Sequence, residues 1–231
     1  WVVATKFGHR FHTPQHKDSL WRASDVLQQL DRSLKALQTD YIDLYQYHSG
    51  SDEQFDQDEL REVLQRQVQA GKIRHIGNSL LRSDMTEQTE LSGKSDVKVI
   101  QVVYNRLDQL AEDAVFPSCV QQNLGVMARV PLASGYLTGK YKPGTEFPEN
   151  DVRSRHNKEL VEHKLRAVQE ITLHEIPEGM PMSQWALAWC LQHPAVTCVI
   201  PGSKDVAQLL SNIRSTEHEM VLVDHPQAWN V

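Results

Sequence analysis

Short apolar runs alternate with amphipathic stretches along almost all of this 231-residue chain, and that alternation most constrains its fold. Val2 to Lys6, Tyr41 to His48, Ile73 to Gly77, Val97 to Val103, Gly125 to Val130 and Thr197 to Ile200 have the length and side-chain content of buried strands. Between them fall stretches of helical period. Leu27, Leu30, Leu34 and Leu37 mark one face of a helix predicted from about Ser24 to Leu37. A second helix, Gln57 to Gln69, stops at Gly71, and a polar one ends near Leu91. Further helices are predicted over Asp113 to Asn123, Lys158 to Glu175, Ser183 to Gln192 and Asp205 to Ile213. Two stretches have no period: the polar loop Gly8 to Asp18 and the long loop Ala133 to Arg155. Strands alternating with helices dictate a parallel sheet with right-handed crossovers. A doubly wound sheet and a (β/α)8 barrel both satisfy this. No Gly-rich dinucleotide turn follows any strand, which weakens the doubly wound choice.

The 40% hydrophobic content supports a sizeable core, and the whole chain, residues 1–231, reads as one α/β domain. A net charge of −6 and a pI of about 6.0 argue against nucleic-acid or anionic-membrane partners, which select a basic face. No apolar run approaches the roughly 20 residues of a membrane span. The cysteines at 119, 190 and 198 have no paired spacing and fit reduced thiols. With no basic-then-apolar leader, the expected location is cytoplasmic. The chain opens at Trp1 inside a strand pattern, so further sequence is expected before it.

Polar groups at the carboxyl ends of strands are where parallel α/β proteins collect their chemistry. Lys6 and His48 close two of the apolar runs. Taken alone, Lys6 reads as a lysine snorkelling to solvent and His48 as a core histidine with a satisfied ring. Their surroundings change the reading. Ala4-Thr5-Lys6-Phe7-Gly8, Asp40 to His48 and Gly71-Lys72-Ile73-Arg74-His75-Ile76-Gly77 resemble successive signatures of the aldo-keto reductase family. Gln101 to Asn105, Pro131 to Tyr141, Gln184 to Trp189 and Ile200 to Ser203 continue that resemblance in order.

The resemblance implies a (β/α)8 barrel, with six of its eight units in this chain and two expected upstream of Trp1. It implies NADPH as cofactor and hydride transfer to the carbonyl of small aldehydes or ketones. Of the family's Asp, Tyr, Lys and His, it assigns the Lys to Lys6 and the His to His48. The Asp and Tyr are expected in the segment before Ala4. A lysine ammonium lowers a neighbouring tyrosine's pKa, and a histidine can polarise the carbonyl.

The resemblance also assigns cofactor contacts. Asn78, Ser79 and Gln101 would meet the nicotinamide amide, with Gln101 opening its strand. Arg129, in place of an aromatic residue, would lie against the ring. Pro131, Leu132, Ser134, Gly135, Leu137 and Lys140 would cover the pyrophosphate. Gly202, Ser203 and Lys204 would take the adenosine 2′-phosphate at a helix start, with Gln208 and Asn212 near the adenine. The bland alternatives are an Asx turn at Asn78, a half-buried strand polar at Gln101, a strand-end ion-pair partner at Arg129 and a capped surface helix at 202–212. His9, His12 and His16 invite a metal reading, but metal sites usually need fixed spacing on ordered elements and a thiol or carboxylate partner, and these three sit in one polar loop. Their loop is expected to rim the substrate pocket, with no metal bound. The alternative function is a regulatory NADPH-binding subunit similar to potassium-channel β subunits.

Overall fold

The computed structural model describes residues 1–13 and 16–218. In chain order its elements are β1 (Ala4–Phe7), β2 (His9–Phe11), β3 (Lys17–Ser19), α1 (Ala23–Leu37), β4 (Ile42–His48), α2 (Asp52–Phe55), α3 (Asp58–Gln69) and β5 (Ile73–Ser79). There follow α4 (Thr86–Glu90), β6 (Val97–Val103), α5 (Ala111–Ala114), α6 (Phe116–Gln121), β7 (Gly125–Arg129), α7 (Lys158–His174), α8 (Met182–Leu191), β8 (Cys198–Ile200) and α9 (Val206–Ile213). Contacts divide the described residues into two compact units, those within 1–102 with 110–127, and 103–109 with 128–218. Among the described residues no helix is long and apolar enough to cross a membrane.

In the first unit the strands neighbour one another in the order β1-β4-β5-β6, and the β1–β4, β4–β5 and β5–β6 pairs are parallel. β4 is buried from Ile42 to Tyr47, as expected for a strand covered on both faces. Phe7, Tyr45 and Tyr47 pack on one side of the sheet, with Phe7 4.8 Å from each tyrosine ring. The Tyr45 hydroxyl donates to the Val26 carbonyl of α1 at 3.4 Å. Each fully buried aromatic side chain of this kind contributes on the order of 2–3 kcal/mol.

The face that α1 buries differs from the one expected. Ala23, Val26, Leu30 and Leu34 are inside, while Leu37 is 45% exposed. Val26 and Ala23 continue the Leu30–Leu34 stripe toward the helix start, and Leu37 falls outside it in the last turn. The predicted helix over 113–123 is instead two short ones, because Pro117 lacks the N–H that a continuous helix needs and sits in the first turn of α6.

The loop predicted from Gly8 to Asp18 holds an antiparallel hairpin, β2–β3. Its residues are too polar to read as strands; neighbours hold it. Gln29 accepts from the Gly8 N–H at 3.1 Å and donates to the Leu20 carbonyl at 3.1 Å, closing the hairpin base. Trp21 packs so tightly on Gly8 that a Cβ there would fall 2.4 Å from the indole, and Gly8 has φ +109°. Only glycine meets both conditions.

In the second unit α7 buries Val161, Leu165, Val168 and Ile171, while α8 is buried over most of its surface. Trp189 lies 5.3 Å from Tyr104, and Arg106 grips Glu175 with two hydrogen bonds, 2.9 and 2.7 Å long. The stretch 133–155 is not featureless. Two 3₁₀ turns, Ala133–Thr138 and Val152–Arg155, structure it.

Candidate active site

Residues opposite one another in a parallel sheet project to the same side, and so do residues two apart along a strand. Register places Lys6 opposite Gln46, and Gln46 opposite Gly77. Two residues further on, His48 lies opposite Ser79, and Ser79 opposite Gln101. Lys6, Gln46, His48, Ser79 and Gln101 therefore share one side of the sheet, the side away from Tyr45 and Tyr47. Gln101 is inside β6, not at its opening, and that places it level with His48. At Gly77 a Cβ would lie 2.9 Å from the Gln46 side chain, so glycine is what lets Gln46 lie across this row.

Two oxygens of this row have no donor among the described residues. Gln46 and Gln101 are 1% and 4% exposed, and the Oε1 of each accepts no hydrogen bond from any described residue. Leaving a buried carbonyl unpaired costs about 1–3 kcal/mol, so each of these oxygens is a strong acceptor on the side that carries Lys6 and His48. Gln46 escaped sequence reading; the signal was a glutamine two residues before His48 in the same buried run.

Asn78 is not brought into this row. It points to the opposite side, where its Nδ2 donates to Gln88 Oε1 at 2.9 Å. Gln88 in turn donates to the Gly50 carbonyl at 3.1 Å and to Asp52 at 2.8 Å. Asn78 thus braces the turn after β4 from behind. Asp43, on that same side of β4, accepts from the Val3 N–H at 2.9 Å and from Arg74 at 2.6 Å. These bonds, the Val3 amide first, hold its carboxyl below the usual range.

His48 is flanked by the hairpin. Its ring centre lies 5.6 Å from that of His9 and 5.9 Å from that of Phe11. Among the described residues no group of three or more His, Cys, Asp or Glu is arranged to hold a metal. His12 pairs with Asp18 at 2.9 Å.

In the second unit Arg129 ends β7 half-buried, and burial depresses its guanidinium pKa against the opposing charge of Asp108. The next residues run through left-handed backbone: Val130 at φ 57°, Ala133 at 48°, Ser134 at 57° and Gly135 at 89°. A β-branched valine there is strained, and strain of this kind persists only where the surroundings impose it. Asn105 donates to the Val130 carbonyl at 3.1 Å, and the Gly135 N–H donates to the Leu132 carbonyl at 2.8 Å. Pro131 and Leu137 are buried, Leu132 is half-buried, and Ser134 and Lys140 are exposed.

Arg153 organises the far end of the same stretch, which sequence reading missed. It donates to Asp151 through Nε at 2.8 Å and Nη2 at 2.5 Å, and to the Ser134 carbonyl at 3.4 Å. Its guanidinium lies 4.5 Å from the Tyr141 ring and 4.9 Å from Phe147. Asp151-x-Arg153 within reach of two aromatics was the available signal.

Gly202, Ser203, Lys204, Gln208 and Asn212 are brought together at the start of α9. Asn212 Nδ2 donates to Ser203 Oγ at 2.9 Å, and the Lys204 N–H donates to Gln208 Oε1 at 2.9 Å. Asp205 caps the helix by accepting from the Gln208 N–H at 2.7 Å.

The sequence model of the aldo/keto reductase family matches residues 1–226. The chain is 33% identical to an NADP(+) aldo-keto reductase, yakc, of Schizosaccharomyces pombe, over 91% of this chain and 63% of that protein. It is 32% identical to an L-glyceraldehyde 3-phosphate reductase of Escherichia coli O157:H7, over 93% of this chain and 64% of that protein. The chain thus spans less than two-thirds of the length of either relative. Its fold is similar to the holo form of aldo-keto reductase AKR11C1 from Bacillus halodurans. The TM-score is 0.78 at 27% identity, covering 98% of this chain and 71% of that one.

Proposed function

The chain belongs to the aldo/keto reductase family, and from that premise we propose that its protein reduces small aldehydes or ketones with NADPH. The strand–helix alternation is that of the (β/α)8 barrel, six units of which lie in this chain. The observation that carries the reading is the row Lys6, Gln46, His48, Ser79 and Gln101, with two buried carboxamide oxygens awaiting a donor. When bound, NADPH supplies the hydride that reaches the carbonyl carbon.

The residues of this chain supply the rest. Gln101 Oε1 is suited to accept from a carboxamide NH2, with the Ser79 hydroxyl beside it in register. His48, at the strand end, is suited to donate to the carbonyl oxygen as negative charge develops there. Lys6 carries the ammonium that would lower the pKa of the family's tyrosine. Arg129 offers a planar guanidinium to stack on a ring. The strained turn from Pro131 to Leu137 with Lys140 would cover the pyrophosphate. Gly202, Ser203 and Lys204 would hold the 2′-phosphate, and Gln208 and Asn212 fix that segment through the bonds described above. The Asp205 carboxylate caps the same helix, so the positive charge of Lys204 is the favourable term for an anion. The family match across residues 1–226 supports reading both units as one domain. The acidic balance and unpaired cysteines support a cytoplasmic protein without nucleic-acid partners.

The test is NADPH oxidation by the full-length protein with a reactive aldehyde, against Lys6→Met and His48→Gln. Each variant is expected to lower kcat at least about a hundredfold. Equal rates for the three proteins would refute the assignment. Tight NADPH binding with no turnover by the natural protein would point to a regulatory subunit instead.

A further inference from the structure

One face of the β2–β3 hairpin is turned to His48. Register pairs His9 with Ser19 and Phe11 with Lys17 on that face, and Arg10 with Asp18 on the other. Both His9 and Phe11 pack against the His48 ring, at 5.6 and 5.9 Å between centres. Lys17 Nζ donates to His9 Nε2 at 3.0 Å and lies 5.8 Å from the centre of the Phe11 ring. No described carboxylate pairs with this ammonium. Asp18, its chain neighbour, is turned to the opposite face and taken by His12 at 2.9 Å.

We propose that Lys17, aimed by His9, is a specificity-determining residue that binds a phosphate or carboxylate group carried by the carbonyl substrate. The inference rests on the reductase reading of the same site. An ammonium has three donors, and His9 occupies one, leaving two to face a ligand beside His48. The ammonium can only donate, so His9 Nε2 accepts, and burial, then the charge of Lys17 itself, lower the His9 pKa in the direction that favours an accepting ring. Trp21 fixes the His9 ring edge-on at 5.5 Å. The lysine is therefore held over the site before a ligand arrives, which removes part of the side-chain entropy cost of binding. His9 acts through Lys17 and is a positioning residue.

The experiment is steady-state kinetics of the full-length protein on two substrate pairs, glyceraldehyde 3-phosphate with glyceraldehyde, and succinic semialdehyde with butanal. The natural protein should show the lower KM for the charged member of at least one pair, and the pair concerned tells phosphate from carboxylate. Lys17→Met should raise that KM roughly five- to tenfold and the neutral partner's much less, with kcat little moved. His9→Leu should lose part of the same selectivity and His9→Gln, which keeps an acceptor, should restore it. Arg10→Met, on the other hairpin face, should change neither member. Equal KM changes for charged and neutral substrates in Lys17→Met, or no charge preference in the natural protein, would overturn the proposal. If none of the four aldehydes turned over, the reductase reading would fall, and an NMR titration with inorganic phosphate and with acetate would still decide the anion site. Saturable shifts of the His9 and His48 ring signals that vanish in Lys17→Met would support it. No saturable shift would overturn it.

Discussion

Gly8 carries more of the site's geometry than its size suggests. It lets Trp21 pack against the backbone between β1 and the hairpin, and the hairpin in turn flanks His48. Gly8→Ala would place a methyl into the indole and force an unfavourable φ, so it should cost about 2–4 kcal/mol. Urea unfolding would measure this as a lowered midpoint at unchanged slope; an unchanged midpoint would contradict the packing account. Single residues were unevenly legible. Lys6 and His48 stood out because a charged or titratable group closes an apolar run. Asn78 and Ser79 are adjacent in sequence, yet only Ser79 joins the row, since successive strand residues face opposite sides. Nothing in a local reading of Gly77-Asn78-Ser79 says which of the two shares a side with His48. The register with His48 decides it.

The elements that sequence reading left blank were those held by side chains rather than by period. The hairpin depends on Gln29 and Trp21, and the stretch 133–155 depends on Arg153. Periodic elements such as α7 and α8 were legible to within a residue or two, because burial of a stripe or of a whole helix leaves its mark in composition. The Arg153 contacts make a pH prediction. The Arg153 side chain, and then its N–H, pull the Asp151 carboxyl down to about 2, below the roughly 3.9 of an unfolded chain. A lowered folded-state value means the stabilisation is fully present above about pH 4 and is lost as pH falls toward 2. Hydrogen exchange over residues 133–155, corrected for intrinsic rates, should therefore show protection at pH 5 that is lost by about pH 2.5. In Arg153→Met it should already be weak at pH 5. Identical protection in the two proteins would refute the role given to Arg153.

On the scale of the whole molecule, six strand–helix units in sequence and the ordered motifs pointed to one family, and the family match over residues 1–226 agrees. Fold class was the most legible property because it rests on many weak signals that must all agree, whereas a site rests on a few side-chain directions. The central claim concerns hydride transfer served by Lys6 and His48. The most direct measurement uses the full-length protein with NADPH deuterated at the transferring position of the nicotinamide and a small aldehyde, with the alcohol product examined by mass spectrometry. The account predicts one deuterium in the product alcohol with the natural protein, and at least about a hundredfold slower labelling with Lys6→Met or His48→Gln. Labelling at the same rate in all three, or an alcohol product without deuterium, would contradict it.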